Sequence, residues 1–353
     1  MTDGSAPDPG TLTRSPATSS PPASSPTPAT QLTPLVSGRG LRRSFGEVRA
    51  VDGVTLEVRP GEAYGLVGPD GAGKTTTLRL LVGVLRQDEG TVEVGGLDMT
   101  ERPDEARSRM GYLAQRFSLY GDLTVWENLR FFGEVRDVRG AAFRARAAEL
   151  LGFVGLTGFE GRRADALSGG MKQKLGLACA LVHEPDVLLL DEPTAGVDPV
   201  TRQEFWKLLI RLLAMGRAII VSTPYMDEAA RCTRVGFMHS GRILVEGTPR
   251  ELTGAFAGHV LELAASPRRA VRDIAMADPD VEDVLAFGDR LHLRVRDAAG
   301  PLARLPGALA RAGIALERLR PVAPSMEDVF ILLLAAEAGR AGGPRATAEA
   351  SHG

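Results

Sequence analysis

The segment GPDGAGKTT, residues 68–76, has the residue types and spacing of a loop that holds phosphate groups. It satisfies the pattern G-x-x-x-x-G-K-[ST] with Gly68, Gly73, Lys74 and Thr75. Glycines let the backbone curl so that successive N–H groups surround phosphate oxygens, and the following helix N-terminus adds partial positive charge. Lysine at this position can reach the β- and γ-phosphates, and the hydroxyl can coordinate Mg²⁺.

Two carboxylates, Asp191 and Glu192, follow the apolar run at 187–190. Open α/β sheets bind their ligands at the carboxyl ends of the strands, which is where this pair would lie. Such a pair is common by itself, but with a phosphate loop upstream it indicates phosphoryl transfer. We expect Asp191 to hold Mg²⁺ through water and Glu192 to polarise the attacking water.

A third segment, LSGGMKQKLGLACALV at 167–182, places a good N-cap residue before a long helix. Ser168 can cap the helix, and Gly169 and Gly170 leave backbone amides open at its positive end. By itself this pattern is typical of any capped helix. Its position between the phosphate loop and the carboxylate pair favours a second anion-binding end.

The elements around these residues alternate between buried strands and helices. Apolar runs at 64–68, 187–190 and 218–222 predict strands, and Leu78, Leu81, Val82 and Leu85 follow the loop with helical spacing. Near-continuous apolar strands separated by helices are typical of a parallel sheet that is covered on both faces. The expected fold class is therefore α/β.

The rest of the chain divides by composition. Residues 1–38, rich in Pro, Ser and Thr, and residues 339–353 are predicted to be disordered tails. A helical insertion is expected at about 117–166, with Thr124 and Glu127 forming a capping box. Alternating strands and helices after residue 254 predict a small α+β domain at 255–338. Its last helix should begin at Ser325, with Asp328 three residues later.

Composition narrows the function classes. The net charge of −2 gives no basic surplus, so we expect no nucleic-acid partner. Cys179 and Cys232 have no CxxC or His-rich neighbour, which favours a reduced cytoplasmic setting. The longest apolar run, at 329–336, is far shorter than the roughly 20 residues that span a bilayer, and no signal pattern opens the chain. We expect a cytoplasmic chain that reaches the membrane only through a partner.

Over residues 39–338 the order of these motifs resembles the ATP-binding subunits of ABC transporters, which are P-loop NTPases that use ATP and Mg²⁺. The resemblance implies a helical subdomain that docks on a membrane subunit, and a second ATP-binding domain whose LSGG segment closes over the γ-phosphate. APSMEDVFILLL and the C-terminal domain are similar to bacterial multidrug and daunorubicin-resistance export proteins, which work with a separate permease, here expected to be of the ABC-2 type.

Site residues follow from the resemblance one position at a time. Phe45 matches an aromatic residue that stacks on adenine, and Asp198 matches the loop that couples the two sites. Gln115 matches the glutamine that senses Mg²⁺ and the membrane partner, so it joins Thr75 and Asp191 as an expected metal ligand. The other expected ATP-binding residues are Gly68, Pro69, Asp70, Gly71, Ala72, Gly73, Lys74, Thr75, Thr76, Ser168, Gly169 and Gly170, with Glu192 as the catalytic residue.

One position departs from the family. In VSTPYMDEAA, residues 221–230, Pro224 stands where the family usually has a histidine that contacts the γ-phosphate and helps to orient the attacking water. Proline supplies neither a side-chain donor nor a backbone N–H. Neither His183 nor His239 is expected to replace the histidine. We therefore expect normal ATP binding but slowed hydrolysis in a homodimer, which a partner with an intact loop would relieve at one site.

Two other functions stay open at this stage. A regulatory subunit that binds ATP without useful turnover is consistent with Pro224, although the presence of Glu192 argues against it. A non-transport ATPase of the same family is the other. The translation type has two tandem domains with a basic linker, and the repair type has a long coiled-coil insertion; this chain matches neither pattern.

Overall fold

The computed structural model describes residues 33–115, 119–256 and 258–340, with side chains through residue 337. The predicted disorder of residues 1–32 and 341–353 lies outside the described residues. All the elements below belong to the unit that begins at Pro34. Within the described ranges, no helix is both long and apolar enough to cross a membrane.

The strands, numbered along the chain, are β1 (Val36–Phe45), β2 (Val48–Val58), β3 (Ala63–Val67), β4 (Glu89–Val94), β5 (Leu97–Asp98), β6 (Met110–Leu113), β7 (Val187–Asp191), β8 (Ala218–Thr223), β9 (Arg234–His239), β10 (Arg242–Gly247), β11 (His259–Ala265), β12 (Val281–Phe287), β13 (Arg290–Val295) and β14 (Leu316–Val322). The helices are α1 (Lys74–Leu81), α2 (Pro103–Ser108), α3 (Val125–Val135), α4 (Gly140–Val154), α5 (Gly169–Leu181), α6 (Pro199–Ala214), α7 (Met226–Ala229), α8 (Pro249–Gly254), α9 (Arg268–Met276), α10 (Ala299–Arg311) and α11 (Met326–Arg340).

The central sheet has the order β10-β9-β3-β8-β7-β6. Its strands are parallel except for β10, which pairs antiparallel with β9. Alternate residues of β7 enter two different cores, Val187 and Leu189 on one face and Leu188 and Leu190 on the other. The predicted parallel sheet covered on both faces is therefore confirmed. Its carboxyl edge brings together the segments that follow β3, β6, β7 and β8.

Two further layers flank this sheet. On one face, an antiparallel sheet of order β2-β1-β4-β5 shares a core with α1. On the other, α3 and α4, which lie within the predicted helical insertion, pack with α5, and the Trp126 and Phe143 rings meet edge to face at 5.2 Å. Thr124 and Glu127 form the predicted capping box, which fixes where α3 begins.

The C-terminal strands form an antiparallel sheet of order β12-β13-β11-β14, and α9 and α10 share its apolar core. Helix α11 follows Ser325 as predicted, and the Ser325 hydroxyl accepts the Asp328 N–H at 3.2 Å. This helix also packs on the ATP-binding part, because Phe330 stacks on Phe237 of β9 at 5.2 Å. The division at residue 254 remains a prediction.

Two predicted boundaries need correction. Strand β1 begins at Val36, which is fully buried and pairs with Val58 and Val94, so residues 36–38 do not belong to a disordered tail. The sequence did not predict the first residues of β1, because the composition of residues 1–38 as a whole is polar and rich in proline. Helix α1 ends at Leu81 instead of continuing through residue 85, because Gly83 takes a left-handed conformation with φ of 70°.

Candidate functional site

The loop between β3 and α1 requires glycine at defined positions. Gly73 has φ of 105°, and a Cβ there would lie 2.3 Å from the Ala50 carbonyl oxygen. A Cβ on Gly68 would lie 2.1 Å from the carbonyl oxygen of Met238. Only glycine fits such close approaches of backbone to backbone. The loop has the form of a cradle at the N-terminus of α1.

Lys74 is buried, and its ammonium lies within this cradle. Its Nζ donates to the carbonyl oxygens of Gly68 at 2.8 Å and Pro69 at 3.0 Å. The same nitrogen lies 3.5 Å from Glu192 Oε1. The lysine therefore connects the phosphate loop to the carboxylate pair. Lys74 and Glu192 lie 118 positions apart in sequence.

Asp191 is fully buried at the end of β7 and is held by hydroxyl groups. Its Oδ1 accepts from Thr75 Oγ1 at 3.0 Å and from Ser222 Oγ at 2.6 Å. The Tyr112 hydroxyl lies 3.5 Å from Oδ2, and burial, together with the Asp191 charge, raises the pKa of Tyr112. Ser222 and Tyr112 were not predicted. The sequence could have indicated Ser222, because it is a hydroxyl residue at the end of the apolar run 218–222, which forms the strand beside β7.

Glu192 has a left-handed backbone, with φ of 47°. Its N–H is fixed by the carbonyl oxygen of Ser222 at 3.1 Å and by the Ser222 hydroxyl at 3.0 Å. Gln115 Nε2 donates to Glu192 Oε2 at 2.8 Å. A non-glycine residue in this region costs about 1–3 kcal/mol and persists where its surroundings over-determine it, which is typical of active sites.

The donor set fits Mg²⁺. Thr75, Asp191 and the amide oxygen of Gln115 offer hard oxygen ligands, which Mg²⁺ takes together with substrate phosphates and water. Within the part of the chain that the structure describes, no group of three or more His, Cys, Asp or Glu residues forms a metal cluster. An ion bound by one or two carboxylates plus phosphates does not need such a cluster.

The LSGG segment begins α5 as predicted, and the Ser168 hydroxyl accepts the Met171 N–H at 3.3 Å. Gly169 is open, whereas a Cβ on Gly170 would lie 2.2 Å from Thr201 Cγ2. Gly170 therefore lies close to Thr201 of α6. Asp198 caps α6 by accepting from the amides of Val200 and Thr201, and hydrogen bonds from Thr201 lower its pKa.

Phe45 is 47% exposed at the end of β1, and the Arg43 guanidinium lies 5.0 Å from its ring centroid. An exposed ring can stack on a base.

Pro224 follows β8 and is half-buried. Nε2 of His183 contacts Met110 O at 2.9 Å, at the amino end of β6, and burial lowers its pKa to about 4. Nδ1 of His239 contacts Ser240 Oγ at 3.2 Å.

A protein-family profile described as "ABC transporter" matches residues 51–195. The Nod factor export ATP-binding protein I of Paraburkholderia xenovorans is 41% identical over 84% of this chain and 96% of its own length. The chain belongs to the ABC transporter ATP-binding family.

Two other ABC relatives match most of this chain. The probable multidrug ABC transporter ATP-binding protein YbhF of Escherichia coli is 41% identical over 85% of this chain, which spans 52% of that relative. The daunorubicin resistance ATP-binding protein DrrA2 of Streptomyces coeruleorubidus is 34% identical over 84% of this chain and 94% of its length. The predicted resemblance is thereby confirmed.

Solved ABC cassettes share the fold. The dimeric ATP-binding cassette MJ0796, in a post-hydrolysis state bound to ADP and Pi, is 28% identical with a TM-score of 0.55, covering 60% of this chain and 98% of its own. The predicted α/β cassette fold is confirmed, and ATP hydrolysis is the general activity of ABC cassettes. The roles of individual residues remain predictions.

Proposed function

We propose that the chain is the ATP-binding and ATP-hydrolysing subunit of an ABC exporter and energises a separate membrane permease. One observation carries the catalytic part. Lys74, Asp191, Glu192 and Gln115 converge from three segments, those that follow β3, β6 and β7, on one edge of the central sheet. That edge combines a phosphate cradle, oxygen ligands for Mg²⁺ and a carboxylate.

The assigned roles follow from these contacts. The loop at 68–76 holds the ATP phosphates, and Thr75, Asp191 and Gln115 would hold Mg²⁺, which would neutralise phosphate charge. Glu192 polarises the attacking water. Both of its oxygens are engaged, one near Lys74 and one by Gln115. Because Lys74 is the residue that reaches the phosphates, their binding withdraws its ammonium and frees Glu192 to accept a water proton.

A second ATP-binding domain completes the site. Ser168, Gly169 and Gly170 contact the γ-phosphate held by the other domain, Asp198 lies in the loop that couples the two sites, and Phe45 stacks on adenine. The contacts of Gly170 with α6, instead of with the phosphate loop, are consistent with action on a second domain.

Pro224 favours slow turnover in a homodimer, because the position that follows β8 offers no donor. A partner domain with a histidine at this position would restore one of two composite sites. The same observation supports a second candidate, an ATP-binding subunit that works mainly in such a heterodimer.

The permease docks on the helical insertion. A cavity of about 240 Å³ is lined by Tyr112, Leu119, Phe132 and Arg136 among others. Next to it, Phe131 is 38% exposed and meets Phe132 at 5.4 Å. Tyr112 touches both this cavity and Asp191, so a docked segment is one side chain away from the proposed metal site. Through the permease, the chain lies at the inner face of the membrane.

The exported compounds are proposed from the relatives alone. Their names refer to multidrug transport, Nod factor export and daunorubicin resistance. Drugs or hydrophobic compounds are therefore the substrate class that we propose.

Association with membranes tests the transport assignment. The chain is added to membrane vesicles with and without a candidate ABC-2-type permease, and pelleting and ATP turnover are measured. Phe131→Asp should abolish permease-dependent pelleting. The matched control Ile210→Asp, on the exposed face of α6, should not. Equal pelleting of wild type and Phe131→Asp would contradict the docking site, and no permease-dependent change in turnover would contradict the transport function.

A further inference from the structure

Glu228 is a fully buried carboxylate that no role above uses. It lies on α7, four residues after Pro224, in a segment whose sequence, MDEAA, is typical of a solvated helical face. A buried carboxylate is costly unless it is paired and hydrogen-bonded. Its partners therefore indicate what its burial achieves.

Those partners come from three segments of the site. Glu228 Oε2 accepts from Thr223 Oγ1 at 2.7 Å, directly before Pro224. Its Oε1 accepts from Thr194 Oγ1, in the loop that follows Glu192. Arg202 of α6, the helix that Asp198 caps, places its Nε 3.5 Å from the same oxygen.

The contacts continue around Pro224. Thr223 Oγ1 also accepts the Tyr225 N–H at 3.0 Å, so this hydroxyl links the residue after the proline to Glu228. The Arg202 guanidinium lies 4.4 Å from the Tyr225 ring centroid. Met226 and Ala229 of α7 belong to the same apolar core as Val329 and Phe330 of α11, and the two helices pack against each other.

We propose that Glu228 is a positioning residue for ATP hydrolysis, which fixes the Glu192 loop, the Pro224 segment and the start of α6 relative to one another. The proposal rests on the hydrolytic function proposed above. Glu192 holds a left-handed backbone conformation that requires support from both sides. Ser222 supports it at the amide, and the bond from Thr194 to Glu228 supports the loop beyond it. Glu228 itself does not contact the reacting atoms.

The test compares Glu228→Gln with Glu62→Gln. Glu62 is a matched control because it is also buried and ion-paired with a guanidinium, that of Arg234 at 2.8 Å, but it precedes β3 at the opposite edge of the sheet. Glu228→Gln should lower kcat by about tenfold or more, since small misplacements of reacting groups have effects of this size. KM for ATP and binding of a fluorescent ATP analogue should change less than about twofold, because the phosphate loop is untouched. Glu62→Gln should keep kcat even where it lowers Tm.

Two milder variants, both at Thr223, test the proposal if the Glu228→Gln protein does not fold. Thr223→Val removes one hydroxyl from the cluster at constant shape and should lower kcat, and Thr223→Ser should recover most of that loss. Equal kcat for the valine and serine variants, or an equal fall in kcat for Glu228→Gln and Glu62→Gln, would overturn the proposal.

Backbone hydrogen exchange separates this proposal from the proposed hydrolysis. Glu228→Gln should accelerate exchange of the backbone amides at 192–198 and at 222–228 together. This measurement does not require ATP turnover. If the wild type binds ATP without hydrolysing it, the proposed function fails while this readout still reports on the linkage. Unchanged exchange in both segments would overturn the role of Glu228 whatever the ATPase rate.

Discussion

Replacing Pro224 with histidine is predicted to accelerate ATP hydrolysis by the purified chain. A single positioned donor at a site of developing charge is worth about 10²–10³ in rate. The neighbours of Pro224 cannot supply it, because the Tyr225 N–H donates to Thr223 Oγ1 and that hydroxyl donates to Glu228. We therefore expect Pro224→His to raise kcat at least about tenfold. Affinity for ATP should stay unchanged, since the loop at 68–76 provides the binding contacts.

The assay is steady-state Mg²⁺-ATP hydrolysis over a range of ATP concentrations, which separates kcat from KM. Pro224→Ala is the control, because it removes the ring constraint without adding an imidazole, and it should raise kcat far less than histidine does. A fast wild type with no gain from histidine would refute the reasoning. An equal gain from alanine would show that the proline ring or its missing backbone N–H, and not the missing imidazole, limits turnover.

Three further predictions concern single residues. Lys74→Ala should weaken ATP binding by about 1.5–3 kcal/mol, the range for a charged hydrogen bond, in a fluorescent-nucleotide titration; unchanged affinity would contradict its role. Phe45→Ala should weaken binding of ATP, but not of inorganic triphosphate, by about 1–3 kcal/mol in calorimetry, and equal losses for both ligands would exclude stacking. Three guanidinium groups, first that of Arg290, lower the pKa of Glu262 to about 2, so its stabilisation is present above the ordinary pKa of about 4.3 and is lost as the pH falls toward 2. Glu262→Gln should therefore lower Tm more at pH 7 than at pH 2.5, unlike the exposed Glu317→Gln, and equal losses at both pH values would contradict this.

The sequence predicted those parts of the site that depend on local pattern. The glycine spacing at 68–73, the apolar runs that end at Asp191 and Thr223, and the cap at Ser168 each act within a few residues. These motifs meet in the structure because the strands before them are parallel, and parallel strands have their carboxyl ends at one edge of the sheet. The helix after the loop was predicted too long, since hydrophobic spacing does not register the left-handed turn at Gly83.

The sequence did not predict contacts between distant residues. Gln115 and Glu192 lie 77 positions apart, and the pattern of neither segment indicates that an amide would meet a carboxylate. Glu228 has the sequence pattern of a surface acid, but it is fully buried and contacts Thr194 and Arg202, which no local pattern places beside it. His292 and Asp328, 36 positions apart, likewise join β13 to α11 through a contact at 3.1 Å that no local pattern marks.

Steady-state ATP hydrolysis by the wild type and by Glu192→Gln tests most directly the claim that this sheet edge hydrolyses ATP. Glu317→Gln serves as the matched control on the C-terminal sheet. We expect slow but measurable turnover in the wild type and in Glu317→Gln, and a loss of at least about 10² in Glu192→Gln with ATP binding retained. Turnover that is the same in Glu192→Gln as in the wild type would contradict the account.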